Sequence, residues 1–249
     1  MSPIDLAPLP QAPGAALRVD SERELSPALI AEIHAFCDQA EDARAGTAAV
    51  LRLGGAGTAR HWPGAVGIDM VSRWEKALRR LERTQIAKIA IVEGVCGGPA
   101  FEVLLTSDYR IGAPDARFEV PVSDDSIWAG MAVHRLVSQF GGAFARRMVL
   151  FGAEMSAERA LETGLLDEMP ADAATSAARV AAAAGRLEQA ELAIRRRLVH
   201  DAAATSFEDA LGMHLAACDR TLVRRSDGAR PASRQERTGP GAGAKENRR

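Results

Sequence analysis

Residues 86–92, Ile-Ala-Lys-Ile-Ala-Ile-Val, form a short, β-branched and nearly continuous apolar run. A strand of that kind is covered on both faces, as in the parallel layer of an α/β protein, where the usual alternation of apolar and polar residues disappears. The flanking chain supplies the elements such a layer needs. Residues 16–19 (Ala-Leu-Arg-Val) and 48–53 (Ala-Ala-Val-Leu-Arg-Leu) read as two earlier strands. Ser26 and Pro27 offer an N-cap and a first-turn proline, which predict a helix to about Asp38. Between Ile68 and Arg83, the residues Ile68, Val71, Trp74, Leu78 and Leu81 recur at helical spacing, with Arg73, Glu75, Lys76, Arg79 and Arg80 off that face. An amphipathic surface helix is expected there, so a βαβ unit closes at Val92. The later half reads as mainly helical: 130–140, 142–151, a helix capped by Ser156 and stopped by Gly164, and a final stretch within 173–222.

With 249 residues, 47% of them apolar and 26% charged, the chain can bury a substantial core. Its net charge of −2, with both signs interspersed, offers no basic field for a nucleic acid or a membrane surface, so neither is expected as a partner. No run approaches the roughly 20 apolar residues of a spanning helix, and the first residues lack a basic segment followed by an apolar one. A cytoplasmic protein is the expectation. Cys37, Cys96 and Cys218 are scattered without a CxxC pair, and the five histidines are dispersed, so neither a disulfide framework nor a metal is expected. Residues 1–15 and 226–249 are rich in proline, glycine and polar residues and are expected to be disordered. That leaves a core over 16–172 and a C-terminal helical region over 173–225.

The chemistry is expected where the buried strand ends. Glu93-Gly94-Val95-Cys96-Gly97-Gly98-Pro99 is followed by the apolar-periodic run Ala100-Phe101-Glu102-Val103-Leu104-Leu105, so the order is strand, Gly-rich turn, helix. A turn of this kind aims backbone N–H groups and the positive end of a helix at one point, which suits a phosphate or a developing oxyanion. The plain alternative is a tight connection that needs glycine for room. The dinucleotide pattern G-x-G-x-x-G, the P-loop and the G-x-S-x-G elbow of serine hydrolases are all missing from the sequence.

The segment IAKIAIVEGVCGGPAFEVLLTSDYRIGAPDARFEVP resembles the central signature of the crotonase, or enoyl-CoA hydratase/isomerase, superfamily. The resemblance continues through GMAVHRLVSQFGG and MVLFGAEMSAERALETGLLDEM and covers about residues 48–170. It implies an α/β fold, a spiral of β-β-α turns with C-terminal helices, assembled as a trimer. It also implies an acyl-CoA thioester as substrate, whose oxygen is gripped by two backbone N–H groups, and no cofactor beyond the coenzyme A carried by that substrate. Glu102 matches the first catalytic glutamate of the hydratases. The oxyanion turn maps onto Gly97, Gly98 and Pro99; since Pro99 has no N–H to give, either Gly98 or Ala100 donates through a shifted turn or the oxyanion site is weakened. The second donor maps onto Ala65 or Val66. Val122 stands where the hydratases carry their second glutamate, followed by Ser123, Asp124 and Asp125.

Within the superfamily, WEKALRRLER, the CGGPAFEVLLTSDYRI turn and helix, and WAGMAVHRLV are most similar to the accessory proteins of 3,5-dihydroxyphenylacetyl-CoA synthesis. Those proteins work beside a type III polyketide synthase in the dihydroxyphenylglycine route of glycopeptide antibiotics. The resemblance implies a dehydratase or aromatisation helper that pairs with the synthase or a crotonase-like paralogue. Its alternatives are a non-catalytic partner that activates the synthase and a stand-alone hydratase or isomerase. Trp62, Trp128, Gly97, Val122 and Gly130 are the expected substrate-lining residues, although packing is the commoner role for a tryptophan.

Overall fold

The computed structural model describes residues 15–120, 122–123, 126–128 and 130–228. Four parallel strands, β1 (Ala15–Val19), β2 (Ala48–Leu53), β3 (Ala87–Val92) and β5 (Tyr109–Gly112), form one sheet in the order β1-β2-β3-β5. The expected buried strand is its interior strand β3, every residue of which is buried. Ile89 and Ile91 face helix α7 (Ala173–Ala184) through Ala177, whereas Ala90 and Val92 face the larger core of α1 (Pro27–Glu41), α2 (Ile68–Arg83) and α3 (Gly98–Leu104). Both faces being covered explains the absence of alternation. The polar exception, Lys88, lies wholly inside, its Nζ 3.3 Å from Asp108 Oδ2.

A second sheet joins β4 (Val95–Cys96), β6 (Arg117–Phe118) and β9 (Met155–Ser156). Since β4 follows β3 and β6 follows β5, each turn gives one strand to each sheet, and α3 completes the unit β3-β4-α3. This is the β-β-α progression expected. In the preceding turn Gly55 takes the place of a strand, as an isolated bridge to Val95.

Helix α1 starts as the sequence predicts, with Ser26 Oγ accepting the Leu29 N–H at 3.2 Å, and runs three residues past Asp38 to Glu41. Helix α2 spans the expected residues and buries Trp74, Leu78 and Leu81. Ile68 departs from the reading: as the first residue of α2 it precedes the part of the helix that meets the core and is 79% exposed. Glu82, which the apolar pattern did not single out, is buried and accepts from Arg79 at 2.8 Å and from Arg135 at 3.3 Å. Arg135 also reaches Glu75 at 3.1 Å, tying α4 (Ala132–Phe140) to α2. Ser156 caps α6 (Ala157–Glu162) by accepting the Arg159 N–H, and Gly164 follows with φ 78°. Helix α5 spans Gly142–Phe151.

The final helical stretch is three helices, α7, α8 (Gln189–Ala202) and α9 (Phe207–Gly228). Two compact units meet at Ala204/Thr205, so α7 and α8 belong with the sheet. The reason is physical: α7 covers the outer face of the sheet, and Arg196 on α8 pairs with Asp108 and donates to the Thr84 and Ile86 carbonyls. The unit beginning at Thr205 holds α9, which also absorbs residues 226–228 of the expected tail. Residues 1–14 and 229–249 lie outside the described residues, while Ala15 is already part of β1.

Candidate active site

Burial and three hydrogen-bond donors define Glu102. It sits on α3, 2% exposed, among apolar side chains. Its Oε1 accepts the indole N–H of Trp62 at 3.2 Å and that of Trp128 at 2.9 Å, while its Oε2 accepts that of Trp74 at 2.5 Å. These are the three tryptophans of the chain. They converge from the loop after β2, from α2 and from the segment before α4. Trp62 and Trp74 also pack edge to face, with ring centroids 5.6 Å apart.

An indole N–H can donate but never accept. All described partners of the carboxyl are therefore donors, and a proton placed on it finds no acceptor among them. Burial is the largest influence and disfavours the charge. The Trp74 bond opposes it, the Glu75 carboxylate reinforces it, and the Trp62 and Trp128 bonds oppose it in turn. The result is a carboxyl pushed up from its ordinary 4.5 to about 7. Such a group exchanges a proton readily near neutral pH, the property a general acid or base requires.

Glu102 stands beside the Gly-rich turn. Gly97 is the N-cap of α3, and Gly98 opens it with φ 49°. A side chain at Gly98 would put its Cβ 2.8 Å from Ala59 Cβ and 3.2 Å from Trp62 Cβ, so the loop carrying Trp62 rests directly on the turn. Pro99 lies in the first turn of α3, where an N–H has no intrahelical partner, so its missing donor costs the helix nothing. Two of the candidate N–H groups are already engaged: Gly97 donates to Ser21 Oγ at 2.9 Å, and Val66 donates to the Gly64 carbonyl at 3.0 Å. The expected donors are thereby narrowed to Gly98, or Ala100, on the turn and Ala65 on the loop. Ala65 is exposed, whereas Gly98 is buried.

Gly130 packs where a side chain could not: its Cβ would lie 2.5 Å from Trp128 Nε1 and 3.2 Å from Glu102 Oε1. Val122 opens a short hairpin, β7 (Val122–Ser123) with β8 (Ser126–Ile127), in register Val122↔Ile127. Asp124 and Asp125 lie outside the described residues. For Trp74 the sequence favours packing over lining an aryl pocket. The signal that could have placed it is general: a buried tryptophan needs an acceptor for its N–H, and Glu102 is the one carboxylate on an otherwise apolar helix.

The enoyl-CoA hydratase/isomerase family profile matches residues 68–227. An enoyl-CoA-hydratase from Amycolatopsis orientalis is 43% identical over 208 residues, 84% of this chain and 95% of the relative. Among solved structures, an enoyl-CoA hydratase from Bacillus anthracis superposes with a TM-score of 0.70 at 19% identity, covering 85% of this chain and 90% of that one. An enoyl-CoA hydratase/isomerase from Cupriavidus metallidurans gives 0.69 at 18% identity, covering 88% and 89%. The structures agree in fold, and the sequence match spans most of the chain. The chain belongs to the enoyl-CoA hydratase/isomerase family.

Proposed function

We propose that this protein transfers protons on an acyl-CoA thioester, with Glu102 as the single acid/base, and that its substrate is a polyketide chain made by a type III synthase. The observation that supports this most is the buried Glu102 carboxyl, poised near 7 beside the Gly-rich turn and held by donors alone. In a dehydration, the Glu102 carboxylate takes a proton from the carbon alpha to the thioester. The electron pair moves onto the thioester oxygen, where the N–H groups of Gly98 and Ala65 would answer the charge. As the enolate collapses, the β-hydroxyl leaves with the proton that Glu102 had taken, as water. One carboxylate then serves both half-steps, which accommodates a valine at position 122. Repeated loss of water from a cyclised polyketide yields an aromatic ring, and the half-buried indole of Trp128 suits such a product.

One feature favours the second reading, a non-catalytic partner of the synthase: Trp128 and Gly130 close over the carboxylate oxygen. The test is reconstitution. A type III synthase is supplied with malonyl-CoA, with and without this protein and its Glu102→Gln variant, and light scattering follows assembly as a trimer or a mixed complex. Wild type is expected to raise the yield of aromatic product while the variant does not. Equal stimulation by both would favour the non-catalytic partner, and turnover of crotonyl-CoA without the synthase would favour a stand-alone hydratase.

A further inference from the structure

Glu119 follows β6 and has no part in the proton transfer described above. Its backbone N–H donates to the Cys96 carbonyl at 3.1 Å, and its Oε1 accepts the Ala59 N–H at 2.9 Å. Between these two anchors the side chain crosses Gly97: a Cβ there would lie 2.8 Å from Glu119 Cγ, 2.9 Å from Oε1 and 3.2 Å from Ala59 Cβ. The chain has glycine at 97 where the glutamate passes. Among the described residues no cation lies within salt-bridge distance of Glu119, and a backbone N–H of the neighbouring loop answers its charge. Ala59 in turn accepts the Trp62 N–H at 3.0 Å, and Trp62 carries one of the donors to Glu102.

We propose that Glu119 is a positioning residue that clamps the loop of residues 59–66 onto the Gly97–Gly98 turn and so holds the two halves of the thioester-oxygen site in register. This inference rests on the thioester reading above. Two donors act on one oxygen only if their separation is fixed, and they come from separate loops: Ala65 after β2, Gly98 after β4. Ser21 fixes the turn from its other side, accepting the Gly97 N–H and donating to the Val95 carbonyl at 2.6 Å. It does not reach the 59–66 loop, whereas Glu119 does. A backbone N–H needs only an acceptor at that point, so glutamine serves as well as glutamate. Aspartate, one methylene shorter, falls short of Ala59.

The experiment uses acetoacetyl-CoA, whose enolate absorbs in the near ultraviolet, so that a working oxyanion site is read directly as enolate formed on binding. Wild type is expected to show the absorbance, and Glu119→Gln to match it within about 2-fold. Glu119→Ala and Glu119→Asp should lose about 10-fold or more, part of the roughly 10²-fold that a lost oxyanion donor costs. Circular dichroism confirms the fold, and if the alanine variant does not fold, aspartate against glutamine decides. Equal enolate signals from wild type and the shortened variants would overturn the inference. A glutamine variant as impaired as alanine would also overturn it, showing that Glu119 acts through its charge. No enolate signal from wild type would instead refute the thioester reading on which the inference stands.

Discussion

Glu102→Ala is expected to lower the thermal midpoint by roughly 6–12 °C. The carboxyl is the acceptor for three indole N–H groups, and Trp62 and Trp74 are only 4% and 0% exposed. Removing the acceptor leaves those donors unpaired, at about 1–3 kcal/mol for each buried one. The vacated volume adds to the loss, and relief from burying the carboxyl offsets part of it. A net loss of about 3 kcal/mol corresponds to the stated shift for a chain of this size. Differential scanning calorimetry checks it. A shift under about 2 °C would mean that the indoles do not depend on Glu102 in solution.

The second large effect is on the pH dependence of stability, measured as the difference between wild type and Glu102→Gln, so that other titrating groups cancel. The folded carboxyl ionises near 7 and the unfolded one near 4.5. The native state therefore holds the proton more tightly over that interval. Its contribution is fully present below about 4.5 and is lost as pH rises through about 7. The wild type should lose roughly 3 kcal/mol against the variant between these limits. Urea unfolding of both proteins at pH 4.5, 6 and 8 follows it. A difference independent of pH, or one that grows with pH, would show that the indole bonds outweigh burial and hold the carboxylate ionised.

Local signals in the sequence carried much of the fold. The run at 86–92 announced a strand covered on both faces, Ser26 and Ser156 marked helix starts, and the glycines after Val92 located the turn. These are interactions within a few residues, where pattern and structure share one cause. The expected single stretch passed over two breaks that the chain does mark, Gly185 at the end of α7 and Ser206 before α9, whose Oγ accepts the Asp209 N–H at 3.2 Å. The cage around Glu102 joins residues 40, 28 and 26 positions apart, and no periodicity reports a contact of that range. Glu119 was hidden for the same reason. It lies beside an alternating strand end, and only the folded chain brings it across Gly97 to Ala59, 60 residues away. The resemblance singles out Glu102 as a candidate, and its burial follows from the apolar helix around it.

The central claim is that Glu102 moves a proton at the carbon alpha to a thioester. It is tested most directly by incubating the protein with butyryl-CoA in deuterium oxide and following deuterium at that carbon by mass spectrometry. Wild type is predicted to catalyse exchange at a rate that rises with pH through about 7, as the carboxylate form of Glu102 accumulates. Glu102→Gln is predicted to exchange at least about 10²-fold more slowly, the usual worth of a general base. Exchange by the variant at the wild-type rate, or none above the uncatalysed background for wild type, would contradict the account.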